Sequence, residues 1–204
     1  MKFILGTKLN MTQVWNSIGN MVGVTAVSAG PMTVTAVKTK EKDGYEAVQF
    51  GFGSKRESLL TKAEKGHLKG LGNFRYLKEL RVSESPLKAG DVVSADTFKE
   101  GDVISVAAIS KGRGFQGVVK RHGFHGGSRT HGQKHSEREP GAIGGRGRAG
   151  GRVSKGMRMA GRMGSERVTL KNLRIVQVVP EKNLILVSGA IPGRRGTLVE
   201  IHGT

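Results

Sequence analysis

Short runs of β-branched and apolar residues, separated by turn residues, dominate the first fifty positions of the chain. Three of them alternate between polar and apolar positions or are rich in Val and Thr, as strands are: residues 12–15, 22–27 and 32–37. Asp43-Gly44 follows the third run and precedes another at residues 45–50, and this dipeptide accepts the positive φ values of a tight hairpin turn. The pattern predicts β structure over residues 2–53.

The spacing of apolar residues changes after residue 57. Leu60, Ala63 and Leu68 lie near one helical stripe, with charged residues on the other side, which predicts a short helix ending in a glycine-rich loop. Residues 74–82 are expected to hold a further turn of helix leading into a strand. Together these segments predict a helical insert at about residues 57–80.

Strand patterns resume later and lie on both sides of a long glycine-rich segment. They fall at residues 92–93, 103–109, 173–179, 183–187 and 197–201. The simplest fold is mainly β: a closed β-barrel, formed by residues 1–110 and 165–204, from which the chain leaves and to which it returns. The intervening residues 111–164 would then be an extension outside the barrel.

This extension carries most of the charge of the chain. Residues 111–164 hold 13 Lys and Arg, 2 Glu and 16 of the 32 glycines, so their net charge is +11 out of +18. A segment with so little apolar surface should be disordered alone in water and ordered by a polyanion. Nucleic acid is favoured over a membrane surface because the charge lies in a glycine-rich loop and not on an amphipathic helix. No apolar run approaches the roughly 18 residues of a membrane helix, so a soluble protein is expected.

Gly-x-Gly-x-x-Gly at residues 112–117 is the one apparent nucleotide-binding motif. The segment that follows is interrupted by Gly123, Gly126 and Gly127, so it cannot form the helix that this motif requires, and the match is interpreted as coincidence. The chain lacks a Gly-Lys-Ser/Thr phosphate loop and any Cys, and no nucleophile–base pair is visible. No enzymatic activity, catalytic residue or cofactor is predicted.

The histidines and methionines of the extension allow two interpretations each. Four His without Cys or nearby Asp make a poor metal site, so stacking on or hydrogen bonding to RNA is preferred and no metal is predicted. Met157, Met159 and Met163 could form a core stripe, but each is flanked by Arg or Gly, which favours apolar wedges between RNA elements.

Arginines interspersed with glycines let the backbone approach phosphates while the guanidinium groups reach them. The candidate RNA-binding residues are Lys111, Arg113, Phe115, Lys120, Arg121, His122, His125, Arg129, His131, Lys134, His135, Arg138, Arg146, Arg148, Arg152, Lys155, Arg158, Arg162 and Arg167.

Several segments, in order and over essentially the full length, resemble one known family. They are residues 8–15, 29–31, 43–49, 51–52, 111–121, 128–132, 140–144, 159–164, 166–169 and 183–187. The chain resembles the bacterial large-subunit ribosomal protein three family. It departs from the usual pattern at Asn10, where Gly is usual, and at residues 145–152, which are richer in Gly and Arg.

The resemblance implies a translation-protein-like β-barrel on the subunit surface and an extension driven into large-subunit rRNA. It also implies a cytoplasmic location, a role in early subunit assembly and an extension tip that approaches the peptidyl transferase centre without doing its chemistry. Large-subunit proteins fourteen and nineteen are the expected protein neighbours. The expected tip glycines are Gly144, Gly145, Gly147, Gly150 and Gly151.

Two other function classes stay open at this point. A general nucleic-acid chaperone or nucleoid protein would share the charge and the disorder, and a footprint confined to one rRNA region separates it from a ribosomal protein. An enzyme with a phosphate-binding loop would bind a nucleotide in a thermal-shift screen.

Overall fold

The computed structural model describes residues 2–16, 19–82, 86–144 and 150–203. The chain divides into two compact units. The first, named the globular unit, comprises Met1–Ile109 and Arg167–Thr204, and the second, named the basic unit, is Ser110–Glu166. The basic unit therefore includes the whole of the charged, glycine-rich segment.

Strands of 2 to 13 residues account for most of the regular structure. The described residues form twelve strands: β1 Phe3–Trp15, β2 Met21–Ala29, β3 Met32–Lys38, β4 Ala47–Ser54, β5 Phe74–Arg81, β6 Val92–Val93, β7 Val103–Ile109, β8 Gly114–Gln116, β9 Gly161–Met163, β10 Arg167–Val179, β11 Leu184–Ser188 and β12 Leu198–Gly203. They also form three short α-helices, α1 Lys40–Asp43, α2 Lys62–His67 and α3 Val118–His122. The prediction of a mainly β fold is confirmed.

Six strands of the globular unit are hydrogen-bonded in a closed ring, in the order β1-β12-β7-β10-β11-β2. The ring closes because the first and last strands of the chain meet, with Ile4 opposite Ile201. In the β7–β10 pair Ile109 lies opposite Arg167. The chain therefore leaves the ring at the end of β7 and re-enters it at the adjacent start of β10.

One hydrophobic core joins the ring to a second sheet. Ile4, Val106 and Ile185 from the ring are fully buried, and they belong to the same cluster as Met32 and Val34 from β3. The second sheet has the strand order β5-β4-β3-β6. Each aliphatic side chain that is fully buried in this way stabilises the folded state by about 1.5–3 kcal/mol. The core therefore draws on strands from distant parts of the chain, from β1 to β12.

The connection between β3 and β4 differs from the predicted tight turn. The strands do pair, but α1 stands between them, and Gly44 (φ +79°) ends that helix with its N–H bonded to the carbonyl of Lys40. The prediction of a tight turn at Asp43-Gly44 is therefore wrong. Gly44 does adopt a positive φ, but there it is the C-cap residue of α1 and not part of a two-residue turn.

The helical insert is shorter than predicted. Helix α2 is present, and Thr61 and Glu64 form a reciprocal capping box at its N-terminus. Residues 74–80 are not helical but form most of β5, which pairs with β4 from Ala47–Arg81 to Ser54–Phe74. The half-buried Phe74 and Tyr76 alternate with the exposed Arg75, and pairing with β4 takes precedence over local helix propensity.

The basic unit has little regular structure. Strands β8 and β9 pair with each other, and α3 follows β8. Among its described residues only Val118 is buried, at 2% exposure. Over the described part of the whole chain, none of the helices has the length and apolar character that a bilayer crossing requires.

Candidate nucleic-acid interface

The base of the basic unit is a narrow two-stranded ribbon. The N–H of Ser110 bonds to the carbonyl of Glu166 (2.9 Å), and the N–H of Arg113 bonds to that of Met163 (2.9 Å). Gly164 has φ +79°, and a Cβ there would lie 2.1 Å from the carbonyl oxygen of Lys111. Only glycine allows this close approach of the two chain segments.

Phe115 and Arg162 face each other across β8 and β9. Both are exposed, and Phe115 keeps 76% of its surface accessible. A large aromatic ring beside an arginine on the outside of a strand pair is an arrangement on which nucleobases can stack. Both side chains belong to the set predicted to contact RNA.

Helix α3 is held against a distant part of the same unit. Arg121 donates from Nη1 to the carbonyl of Met159 (2.7 Å), and Nε2 of His122 lies 3.1 Å from the same oxygen. Gly161 packs closely on the guanidinium, since a Cβ there would lie 2.7 Å from Nη1. These two predicted RNA-binding residues therefore have a structural contact inside the protein.

A second close approach joins residues 126–127 to residues 136–137. The N–H of Gly127 bonds to the carbonyl of Glu137 (2.9 Å), and a Cβ at Gly126 would lie 2.0 Å from that oxygen. Arg129 forms an ion pair with Glu137 at 3.6 Å, although the arginine side chain is 85% exposed. Such an exposed pair contributes at most about 1 kcal/mol.

An open cavity of about 550 Å³ lies beside this contact. Phe124, His125, Gln133, Glu139 and Arg158 are among the residues that line it. The ring centroid of Phe124 is 6.0 Å from that of His122, which also lines the cavity. The lining thus combines aromatic faces with hydrogen-bond donors and acceptors.

Most of the remaining cations of the basic unit point to solvent. Within the described residues none of the following has a side-chain hydrogen bond or an acidic partner: Lys111, Arg113, Lys120, Lys134, Arg138, Arg152, Lys155, Arg158 and Arg162. The predicted contacts His125, His131 and His135 are exposed as well. These side chains all belong to the basic unit, and contacts within the described residues do not neutralise the charges of these lysines and arginines.

The predicted tip of the extension is described only in part. Gly144 forms an isolated bridge with Val153, and Gly150 and Gly151 have φ values of +59° and +77°. Gly145, Gly147, Arg146 and Arg148 lie outside the described residues.

Arg167 differs from the other predicted contacts because it lies in the globular unit, and like Arg129 it has an acidic partner. Its Nη2 donates to Glu200 (2.5 Å), and Lys78 contacts the same carboxylate at 3.1 Å. Burial acts to raise the pKa of the Glu200 carboxyl, but the hydrogen bonds from Arg167 and Lys78 outweigh it and lower the pKa. Sequence reasoning missed this pairing because residues 33 positions apart give no local signal.

The apparent nucleotide-binding motif and the histidines have ordinary structural places. The glycines of residues 112–117 lead into and out of β8, and the helix after them has only five residues before Gly123 ends it. Over the described ranges, no three or more His, Asp or Glu side chains form a group that could hold a metal ion.

Comparison with known proteins identifies related sequences over nearly the whole chain. The profile of the family described as "Ribosomal protein L3" matches residues 76–183. A protein of Herpetosiphon aurantiacus is 50% identical over 200 residues, which is 97% of this chain and 94% of the relative. A protein of Chlorobaculum tepidum is 50% identical over 207 residues, 98% of both chains, and one of Roseiflexus sp. is 51% identical over 201 residues, 98% of this chain and 95% of its own. All three are named "Large ribosomal subunit protein uL3".

Proposed function

The chain belongs to the ribosomal protein L3 family, and from this membership we propose that it is a structural, non-enzymatic component of the large ribosomal subunit in the cytoplasm. It binds large-subunit rRNA directly, mainly through the basic unit. The globular unit corresponds to the translation-protein-like barrel of the family, and residues 111–164 to the extension that enters rRNA.

The unpaired cations of the basic unit carry this proposal. Nine Lys and Arg side chains are exposed there without an acidic partner in the described residues. Like charges crowded on a unit with a single buried apolar side chain among its described residues repel one another, and burial there offsets little of that repulsion. Phosphates supply the missing counter-charge, and each one neutralised releases a condensed cation from the RNA.

Aromatic side chains give the same surface a way to hold bases. Phe115 is available for stacking beside Arg162, and the cavity near Phe124 offers His125 and Arg158 as polar contacts. Single-stranded RNA is recognised largely by stacking and by hydrogen bonds to base edges. The basic unit thus combines contacts to phosphates with contacts to bases.

The finer roles follow the family expectation. The proposed tip, with Gly144, Gly150 and Gly151 in its described part, approaches the peptidyl transferase centre without taking part in its chemistry. The protein joins the subunit early in assembly and adjoins proteins fourteen and nineteen.

RNA binding across a salt series tests the proposal. The triple variant Arg152→Ala, Arg158→Ala, Arg162→Ala removes three exposed cations of the basic unit. The triple variant Lys40→Ala, Lys42→Ala, Lys62→Ala, a matched control, removes three from exposed positions of the globular unit. The first is expected to flatten the slope of log K against log salt by about 0.7–0.9 for each phosphate that is no longer neutralised, and the second to leave it near the wild-type value. Equal slopes for all three proteins would contradict the proposal.

A further inference from the structure

A turn in the globular unit presents two neighbouring arginines. Residues Gly193 to Thr197 connect the region after β11 to β12, and Arg194 and Arg195 are exposed at its apex. Neither guanidinium has a hydrogen bond or ion pair to any residue in the described part of the chain. The two side chains therefore add positive charge that the fold does not use.

The backbone of this turn is fixed by several hydrogen bonds. The N–H of Thr197 bonds to the carbonyl of Arg194 (3.2 Å), and the N–H of Arg194 bonds to Oγ1 of Thr197 (3.0 Å). Gly196 takes the positive φ (+78°) expected at the third position of such a turn, and its N–H bonds to the carbonyl of Lys8 (2.8 Å). The arginine side chains take no part in this network.

Lys8 fixes the start of the turn through its side chain. Its ammonium Nζ donates to the carbonyls of Ile191 (2.6 Å) and Gly193 (3.0 Å). Gly193 is buried, with φ +90°, and a Cβ there would lie 2.8 Å from Cγ2 of Thr197 and 2.9 Å from the carbonyl of Ile109. The lysine thus holds the turn in place.

We propose that this turn, named the arginine turn, is a second RNA-binding site, which grips the phosphate backbone of rRNA with Arg194 and Arg195. The inference rests on the proposed function, because the ligand is the same large-subunit rRNA. Arginine forks match phosphate oxygens in a bidentate manner. A turn that is already ordered gives up little conformational entropy on binding, so its contacts add to affinity more fully than those of a loop that must first be ordered.

The test compares salt-dependent binding of purified bacterial large-subunit rRNA by the full chain and three variants. Arg194→Ala with Arg195→Ala removes both charges, and Lys40→Ala with Lys42→Ala removes two from the exposed helix α1 as a matched control. Arg194→Lys with Arg195→Lys keeps the charges without the forks. The alanine pair should lower the salt slope by about 1.4–1.8, equivalent to a roughly 30-fold weaker affinity at 0.1 M salt if binding extrapolated to 1 M is unchanged. The lysine pair should keep the slope and lose only part of the affinity.

The outcomes separate this inference from the function on which it rests. The triple variant of the basic unit, Arg152→Ala with Arg158→Ala and Arg162→Ala, is measured alongside. If the wild type binds and this triple variant binds more weakly while the alanine pair of the arginine turn binds normally, the arginine turn is no RNA site and the proposed function stands. A reduction in affinity equal to that of the control pair would overturn the inference in the same way. If the wild type shows no salt-dependent binding, the proposed function itself fails. Because the lysine pair retains both charges in the same turn, a normal slope for it together with a reduced slope for the alanine pair supports the inference without relying on one variant.

Discussion

Arg121 donates a hydrogen bond to the carbonyl of Met159, 38 residues further along the chain, and so closes the basic unit on itself. Arg162, on the neighbouring strand β9, is exposed and makes no such contact within the described residues. The two arginines of this segment therefore differ: Arg121 holds two parts of the basic unit together, and the side chain of Arg162 is exposed to solvent.

Separate substitutions of Arg121 and Arg162 should have different effects, the first on the structure of the basic unit and the second on RNA binding. Arg121→Ala removes a charge-assisted hydrogen bond, at a cost of about 1 kcal/mol given its partial exposure, and should speed amide exchange in β9 in the RNA complex. Arg162→Ala should leave that exchange unchanged and flatten the salt slope of RNA binding. Identical effects of the two variants on both measurements would contradict this division.

Gly164 should be more sensitive to substitution than a glycine of the same conformation elsewhere. Gly141 has φ +78°, almost that of Gly164, but a Cβ there would meet nothing within 4 Å. Gly141→Ala should cost only the left-handed conformation, about 1–2 kcal/mol. Gly164→Ala should in addition separate the chain segments at the base of the ribbon. Amide exchange at residues 113–116 of the RNA-bound protein distinguishes the two variants, and equal protection in both would show that the close approach is unimportant.

The Glu200 carboxylate should stabilise the globular unit in a pH-dependent way. Its folded-state pKa lies below the ordinary value of 4.5, so its stabilising effect is present above the unfolded-state pKa and is lost as the pH falls through the folded-state pKa. Glu200→Gln should therefore reduce the free energy of unfolding at pH 7 by about 1 kcal/mol, which lowers the urea concentration at the midpoint of unfolding. At pH 2 the variant and the wild type should unfold at similar urea concentrations. If the variant and the wild type differed in stability by the same amount at pH 7 and at pH 2, the effect would come from packing and not from the charge of the carboxylate.

The globular unit should fold without the basic unit. Ile109 and Arg167 are paired across β7 and β10, so a short linker can join them without disturbing the ring. Closing a shorter loop also costs less conformational entropy. The variant lacking residues 110–166 is expected to unfold cooperatively in urea, and a broad, non-cooperative transition would show that the basic unit is part of the core.

The basic unit, in contrast, should be ordered mainly by RNA. With Val118 as its one buried side chain among the described residues, it has little apolar burial to offset its chain entropy. Hydrogen exchange of the free chain should show weak protection over residues 124–160, and addition of large-subunit rRNA should slow it. Strong protection without RNA would contradict this expectation.

The sequence predicted what depends on local pattern. The strands at residues 92–93 and 103–109 and the helix near Ala63 follow from β-branched runs and a helical stripe, and β6, β7 and α2 are found there. The helical turn expected at residues 74–80 is a strand because pairing with β4, a non-local interaction, decided it. The closure of the ring between β1 and β12 could not be predicted residue by residue for the same reason.

The candidate site shows a similar limit. Composition alone identified residues 111–164 as the charged segment, and their cations are mostly exposed without internal partners in the described ranges. It could not distinguish Arg121, which contacts Met159, or Arg167, which pairs with Glu200, from the arginines that face solvent. It also gave no weight to Arg194 and Arg195, because the contacts of Lys8 that fix their turn come from the other end of the chain.

A chemical footprint on large-subunit rRNA tests the central claim most directly. The full chain and the variant lacking residues 110–166 are each bound to the rRNA in the presence of excess non-specific competitor RNA, and the protected nucleotides are mapped. The full chain should protect one confined region, and most of that protection should disappear in the variant. Protection scattered along the rRNA, or an unchanged footprint without the basic unit, would contradict the claim that this unit binds a fixed site in the large subunit.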